Sequence, residues 1–507
     1  MQPTRTWRSL VFSDLGVLLL LALGRVALLF LSHPAYGWHR DELDMLESAR
    51  ALAWGYVAYP PLTAFVARIG LLLFGPSLLG VRLFAAASMG AIMVLSGLMA
   101  RDLGGRRYAQ VLAAVAAGIS PVQLLGGSLL SYSSLDALWW VLAAFFVVRL
   151  LKSGKARWWL AIGAVLGLGM MTKYLFAVEI VGLVVGILVT PARRFLRSPW
   201  LWAGVAISIL IFLPNVIWQA QHGFISLEFM RSIHARDIRI GRTETFLPEQ
   251  LFFSANLVTI PLWIAGLASL LVGKSHRIFR PLAWMYLVPL LLFFLLQGRS
   301  YYLAAAYPPL IAAGAVLAEA WVGGMRLATA RLVRGSIWAA LALGGLAFAA
   351  IALPLAPPGS DWFKTAWSLN NELGEMIGWP ELAQTTAEVY ASLSPSERAA
   401  TAIVTDNYGE AGALNLFGPA LGLPTALSGI NGFWYRGPGE LQPAVVIALG
   451  YDLHGTAAHF GSCEIVAQVR NPYGVLNEEA GDHPWIYLCR RLPRPWQEIW
   501  DGLKSYG

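Results

Sequence analysis

Four carboxylates fall within seven residues in the stretch His39-Arg40-Asp41-Glu42-Leu43-Asp44-Met45-Leu46-Glu47. The stretch directly follows a long apolar block, and a carboxylate held there can take a proton from an attacking nucleophile. The same spacing also fits a solvated amphipathic helix with Leu43 and Leu46 turned to lipid. Three cations stand at the ends of apolar blocks: Lys173 in a very short turn, Arg299 just before Tyr301-Tyr302, and Arg82 at the start of a block. Charges at such depth are functional candidates by default, or snorkelling side chains that reach headgroups.

Other groups carry two readings each. Arg231, Arg236, Arg239 and Arg242 form a basic segment that either recruits a phosphate-bearing lipid or acidic acceptor, or simply meets headgroups. His222 and His234 can share a divalent ion with Asp41 or Glu42, or cap helices and bind backbone. No metal is assigned and no cofactor is required, although a divalent cation stays open. Ser131, Ser133, Ser134 and Asp136 open an apolar block, where they line a cavity or cap the helix.

The elements that must position these residues are membrane helices. The chain is 57% hydrophobic and 13% charged, against roughly 25% charged in an ordinary soluble domain. Apolar blocks of the length that spans a bilayer recur at roughly 10–32, 78–100, 107–126, 133–151, 157–171, 174–191, 200–218, 250–272, 281–297, 301–322 and 335–354. The expected fold is mainly α, a polytopic bundle of about 11 spans over 1–354. With Arg5 and Arg8 cytoplasmic, every second loop carries three or more positive charges, from Arg101/Arg106/Arg107 to Arg326/Arg331/Arg334. The first block, too long for a signal peptide and without a small-residue cleavage site, reads as a retained span.

That topology leaves loops 33–77 and 219–249, together with 355–507, on the outer side. Leu62–Phe74 is short, carries Arg68 and follows Pro60-Pro61, so it fits an interfacial or re-entrant helix. The tail alternates β-type runs such as Ala402–Thr405 and Ala444–Leu449 with helix-like Glu410–Phe417, which predicts a small α/β domain. Cys463 and Cys489 both lie there, and sequence leaves their pairing open. The net charge of +8 resides mainly in short loops and reports topology, not nucleic-acid binding. No Walker loop or dinucleotide fingerprint stands in a strand-turn-helix context.

A family resemblance emerges from Trp54-Gly55-Tyr56-Val57-Ala58-Tyr59-Pro60-Pro61-Leu62 together with the Asp41-Glu42 pair. Further stretches join it: Gly169-Met170-Met171-Thr172-Lys173-Tyr174, Pro214-Asn215 with Gln221-His222-Gly223, Gly298-Arg299-Ser300-Tyr301-Tyr302-Leu303 with Tyr307-Pro308, and Tyr408-Gly409-Glu410-Ala411-Gly412-Ala413. In order and spacing the chain resembles the GT-C glycosyltransferases, in the branch of bacterial protein O-mannosyltransferases and lipid A aminoarabinose transferases.

The resemblance implies transfer of a single sugar from a polyprenyl-phosphate donor to a lipid, glycan or protein acceptor, with inversion. It places the reaction at the outer face of a bacterial inner membrane, with the N-terminus cytoplasmic and 355–507 periplasmic or extracellular. In that family an aspartate of the first outer loop is taken as the catalytic carboxylate; this maps onto Asp41, with Glu42 supporting. A phosphate leaves without protonation, so one carboxylate suffices as base, unlike the two of a glycosidase. Lys173, Arg299 and Arg82 become candidates for the donor phosphate. Tyr59, Pro61, Asp136, His222, Tyr301 and Tyr302 become candidates for the substrate cavity. Related aminoarabinose transferases carry a lysine just before the first-loop proline where this chain has Tyr59, so one expected phosphate ligand is replaced.

Two rivals remain at this level. A lipid or sugar-lipid transporter requires ionisable residues at mid-depth, and Glu179 and Glu319 are the main ones. An inactive scaffold relative needs no intact base.

Overall fold

The computed structural model describes residues 13–507; Arg5 and Arg8 lie outside the described residues. Within them seven helices are long and apolar enough to cross a membrane: Asp14–Leu31, Leu78–Asp102, Tyr132–Ser153, Pro199–Gln221, Arg277–Leu295, Ser300–Gly323 and Leu327–Ala352. Two bent pairs, Tyr174–Leu188 with Pro191–Arg197 and Phe246–Ser254 with Leu257–Val272, raise the number to nine if each is one span.

The expectation of about 11 spans is therefore corrected. Block 107–126 is cut at Ser120-Pro121, where Arg107–Gly118 ends and Ser120 caps the short helix Pro121–Gly126. Trp158–Met170 has 13 residues, about 20 Å of helix against a hydrocarbon core of about 30 Å.

Seven helices matter for the site. They are α1 (Arg40–Arg50), α2 (Leu62–Phe74), α3 (Leu78–Asp102), α4 (Tyr132–Ser153), α5 (Ile225–Arg239), α6 (Trp379–Ser392) and α7 (Tyr408–Phe417). As expected, α2 is a short apolar helix of 13 residues, below the length of the spanning helices. Glu319 does not sit free at mid-depth. Its carboxylate accepts from the backbone N–H groups of Arg106 and Ala109, at the start of the following helix. Glu179 is buried and its Oε2 has no hydrogen-bond partner.

The C-terminal region carries a five-stranded mixed sheet: β1 (Thr401–Thr405), β2 (Leu427–Ser428), β3 (Val445–Leu449), β4 (Cys463–Gln468) and β5 (Trp485–Arg490). Its order is β2-β1-β3-β5-β4, with β1 parallel to β2 and β3 and the last two strands antiparallel. The runs expected at 402–405 and 444–449 are thus the two adjacent parallel strands, and every residue of both is buried. Cys463 and Cys489 face each other across β4 and β5 and form a disulfide.

The division at 354 does not divide the core. One hydrophobic cluster joins Leu43, Leu46 and Tyr59 of the first loop and Val81 and Leu130 of the bundle to Trp379, Ile403, Leu414 and Ile447 of the tail. Leu43 and Leu46 are 0% and 1% exposed, so they face protein and not lipid. Burying each contributes about 1.5–3 kcal/mol, which fixes α1 against the C-terminal region.

Candidate active site

The start of α1 is set by reciprocal capping. The His39 side chain accepts the Asp41 N–H through Nδ1 at 3.1 Å, and Glu42 Oε2 accepts the His39 N–H at 3.0 Å. Asp41 and Glu42 in the first turn also complement the helix dipole. His39 Nε2 meets Glu372 at 2.8 Å. Burial lowers the imidazole's proton affinity, but the Glu372 hydrogen bond and the nearby carboxylates of Asp41 and Glu42 more than offset it and the pKa is raised. Nδ1 accepts the Asp41 N–H only in the neutral ring that carries its proton on Nε2, so the cap opposes the charged form that the surrounding carboxylates favour.

The two adjacent carboxylates then diverge. Glu42 turns inward and pairs with Arg82 on α3: Nε to Oε1 is 2.9 Å and Nη2 to Oε2 is 2.7 Å. It also accepts the Leu130 N–H at 2.9 Å, while Arg82 donates to the Gly37 carbonyl. Asp41 stays half-buried and its Oδ1 accepts from the Tyr408 hydroxyl of α7 at 2.9 Å. One turn on, Asp44 Oδ2 accepts from the Tyr59 hydroxyl at 2.7 Å. Burial pushes the Asp44 carboxyl up to about 6, with Tyr59 and Arg436 opposing.

Lys173 is 7% exposed and lies in an aromatic enclosure. Its Nζ is 4.4 Å from the Tyr302 ring centroid and 5.3 Å from those of Tyr132 and Tyr301. Ser133 Oγ is 3.4 Å away and Asp136 Oδ2 3.8 Å. Cation–π contacts of this kind stabilise an ammonium in a site depleted of water. The turn is anchored to the first loop because Leu62 N–H donates to the Met171 carbonyl at 2.9 Å, next to buried Pro61. Tyr59 stacks on Tyr132 with centroids 5.7 Å apart, so the aromatic ring that replaces the expected lysine lies against the Lys173 enclosure.

Arg299 is gripped by Asp237 of α5: Nε to Oδ2 is 2.6 Å and Nη2 to Oδ1 3.0 Å. Its Nη1 remains directed at the Tyr301 hydroxyl at 3.4 Å. Arg242, exposed at the end of the second loop, acts with His39 and Arg40 in lowering the Glu372 pKa against burial. Tyr132 joins the two halves of the site: its ring lies beside Lys173 and against Tyr59, whose hydroxyl donates to Asp44 one turn from Asp41.

The remaining candidates separate from this centre. His222 stacks on Trp218 at 3.9 Å and bonds its carbonyl through Nδ1 at 2.8 Å. Ser131 occupies the N-cap of α4 without accepting a backbone N–H there, and its Oγ instead meets Ser134 Oγ at 3.4 Å. Ser134 donates to the Gly126 carbonyl at 2.7 Å. Among the described residues no group of three or more His, Cys, Asp or Glu is arranged to hold a metal ion. Tyr408, Tyr132, Asp44, Asp237 and Glu372 were not singled out as site residues from sequence. Two of them had a signal: Asp44 is one of the four clustered carboxylates, and Tyr408 opens a motif of its own.

Long apolar helices, a first loop packed on the C-terminal region and a mixed sheet after the last span define a multi-pass membrane protein. Residues 58–218 match the sequence model of a family described as dolichyl-phosphate-mannose-protein mannosyltransferase. No curated protein matches the chain by sequence. Among solved structures, the chain is similar to ArnT from Cupriavidus metallidurans. The apo form gives a TM-score of 0.60 at 14% identity, covering 93% of this chain and 97% of that one. The form bound to undecaprenyl phosphate gives 0.57 at 16% identity with the same coverage. The archaeal oligosaccharyltransferase AglB from Archaeoglobus fulgidus, in complex with an inhibitory peptide and a dolichol-phosphate, gives 0.52 at 13% identity, covering 88% and 70%. The GT-C likeness read from the motifs is thereby shown for the fold.

Proposed function

We propose that the protein transfers a single sugar from a polyprenyl-phosphate donor to a lipid, glycan or protein acceptor at the outer face of a bacterial inner membrane. Asp41 removes the acceptor proton as the nucleophile attacks the anomeric carbon opposite the phosphate, which gives inversion. Lys173, with Arg299 and Arg242, stabilises the charge gathering on the departing phosphate. No protonation of that leaving group is needed, consistent with a single half-buried base beside a neighbour locked in an ion pair. Glu42 and Arg82 hold α1 in place and need not touch substrate.

The observation that carries this reading is the aromatic bridge between α1 and Lys173: the Tyr132 ring lies 5.3 Å from Lys173 Nζ and packs against Tyr59, whose hydroxyl donates to Asp44, three residues from Asp41. An apolar cavity of about 190 Å³, lined by Leu125, Phe252, Phe253, Phe348, Leu369 and Asn370, supports a lipid-borne substrate. Its lining lies close in sequence to residues of the site. Ser254 follows Phe253 and donates to the Ser300 carbonyl, next to Arg299, while Asn370 lies two residues before Glu372.

The test incubates the purified protein with radiolabelled polyprenyl-phosphate sugars and a membrane extract. Wild type labels an acceptor, whose identity names the acceptor class. Asp41→Asn slows transfer by about 10²–10⁴-fold, the contribution of a positioned base. Equal labelling by wild type and variant would exclude Asp41 as base, and no labelling with any donor would point to a scaffold.

A further inference from the structure

We propose that Tyr408 is a positioning residue for Asp41, so that α7 of the C-terminal region is a working part of the catalytic site. The inference rests on the reading of Asp41 as base. The two residues stand 367 positions apart, yet the Tyr408 hydroxyl donates to Asp41 Oδ1 at 2.9 Å. Asp41 Oδ2 makes no hydrogen bond among the described residues, so one oxygen is held while the other is left for the acceptor's proton. A carboxylate with a single fixed oxygen has its plane set, which is what a general base needs before substrate arrives.

The sequence around Tyr408 is built for this approach. Asn407 caps α7, accepting the Gly409 N–H at 2.7 Å, and Glu410 closes the capping box. A Cβ at Gly409 would stand 2.9 Å from Arg40 Cβ and 2.8 Å from the Trp379 ring at the start of α6. A Cβ at Gly412 would stand 2.7 Å from Leu43 Cβ and 3.0 Å from its backbone. Both glycines therefore let α7 lie directly on the first turn of α1. Arg40, the residue before Asp41, has its guanidinium 5.9 Å from the Tyr408 ring centroid and pairs with Glu478 and Glu375 of the C-terminal region. The charged and polar residues placed beside Asp41 are thus the capping His39, Arg40 and Asp44 on α1, and Tyr408 on α7. Only the last of these donates to its carboxylate.

The experiment compares full-length wild type, Tyr408→Phe and Asp41→Asn in donor-dependent transfer, with thermal unfolding of each. Tyr408→Phe keeps the ring and loses only the donor. It is expected to lower kcat about ten-fold, the effect of losing one hydrogen bond to a charged group, with donor KM within two-fold and the unfolding midpoint unchanged. A role confined to packing moves kcat only with the midpoint, and that result, or an unchanged kcat, overturns the inference. If Asp41→Asn is inactive while Tyr408→Phe equals wild type, the inference alone fails. If Asp41→Asn keeps full activity, the reading of the base itself fails.

Discussion

Glu42 and Arg82 form a two-point ion pair in which the side chains are 0% and 2% exposed. Glu42 completes its shell with the N–H groups of His39 and Leu130. Every lone pair that could serve a proton transfer is engaged, so its task is to fix α1 against α3 and the start of α4.

Removing one partner leaves the other charge buried and unpaired, which costs about 3–5 kcal/mol. Arg82→Met is therefore expected to lose most of its folded yield in detergent. In the surviving folded fraction, the donor KM should stay near wild type. A large rise in donor KM with wild-type stability would return Arg82 to the phosphate site.

Lys173 answers the opposite expectation. Its ammonium is enclosed by three tyrosine rings and is 3.8 Å from Asp136, so it keeps donors available for an incoming anion. Lys173→Ala should weaken polyprenyl-phosphate binding about 10- to 100-fold, the effect of one charge-assisted hydrogen bond of about 1.5–3 kcal/mol. Asp136 is then left without its cation, and the double variant Lys173→Ala/Asp136→Asn should recover stability but not binding. Competition by unlabelled polyprenyl phosphate measures the first effect and thermal unfolding the second.

Asp237 grips Arg299 from the second outer loop, so that loop does more than meet headgroups. Asp237→Asn keeps one acceptor and loosens the fork. Donor KM should rise several-fold, less than for Arg299→Ala. Equal KM values for wild type and Asp237→Asn would mean that the guanidinium is oriented by Tyr301 and the donor alone.

What the sequence made legible followed local rules. Apolar blocks fixed the spanning helices wherever no proline or glycine turn interrupted them, and failed at Ser120-Pro121 and at Leu257–Thr259, where the chain bends. The strand runs at 402–405 and 444–449 were visible because both are short and apolar or β-branched at every position. Asp41, Lys173 and Arg299 were visible because charge at a membrane boundary is costly and therefore conspicuous. Their partners were not assigned: Asp237 is an ordinary residue, and Tyr408 the start of a motif without a role, until the fold brings them to within 3 Å of an arginine and an aspartate. Glu42 and Asp41 look alike as neighbours in sequence, and only the helical turn that sends one side chain inward tells them apart.

Asp44 gives the pH dependence. Burial holds its carboxyl at about 6 in the folded protein, against about 3.9 in an unfolded chain. Between these values the folded state binds the proton more tightly than the unfolded state does. Stability therefore falls as pH rises from about 4 to about 6, and the effect is complete above that window. Asp44→Asn removes the titration while keeping an oxygen for the Tyr59 hydroxyl. Its unfolding midpoint should exceed that of wild type at pH 7, and the two should converge as pH falls toward 4. A midpoint difference that does not change with pH would mean that Asp44 is solvated in the folded protein, and that the turn of α1 facing Tyr59 is more open than its packing indicates.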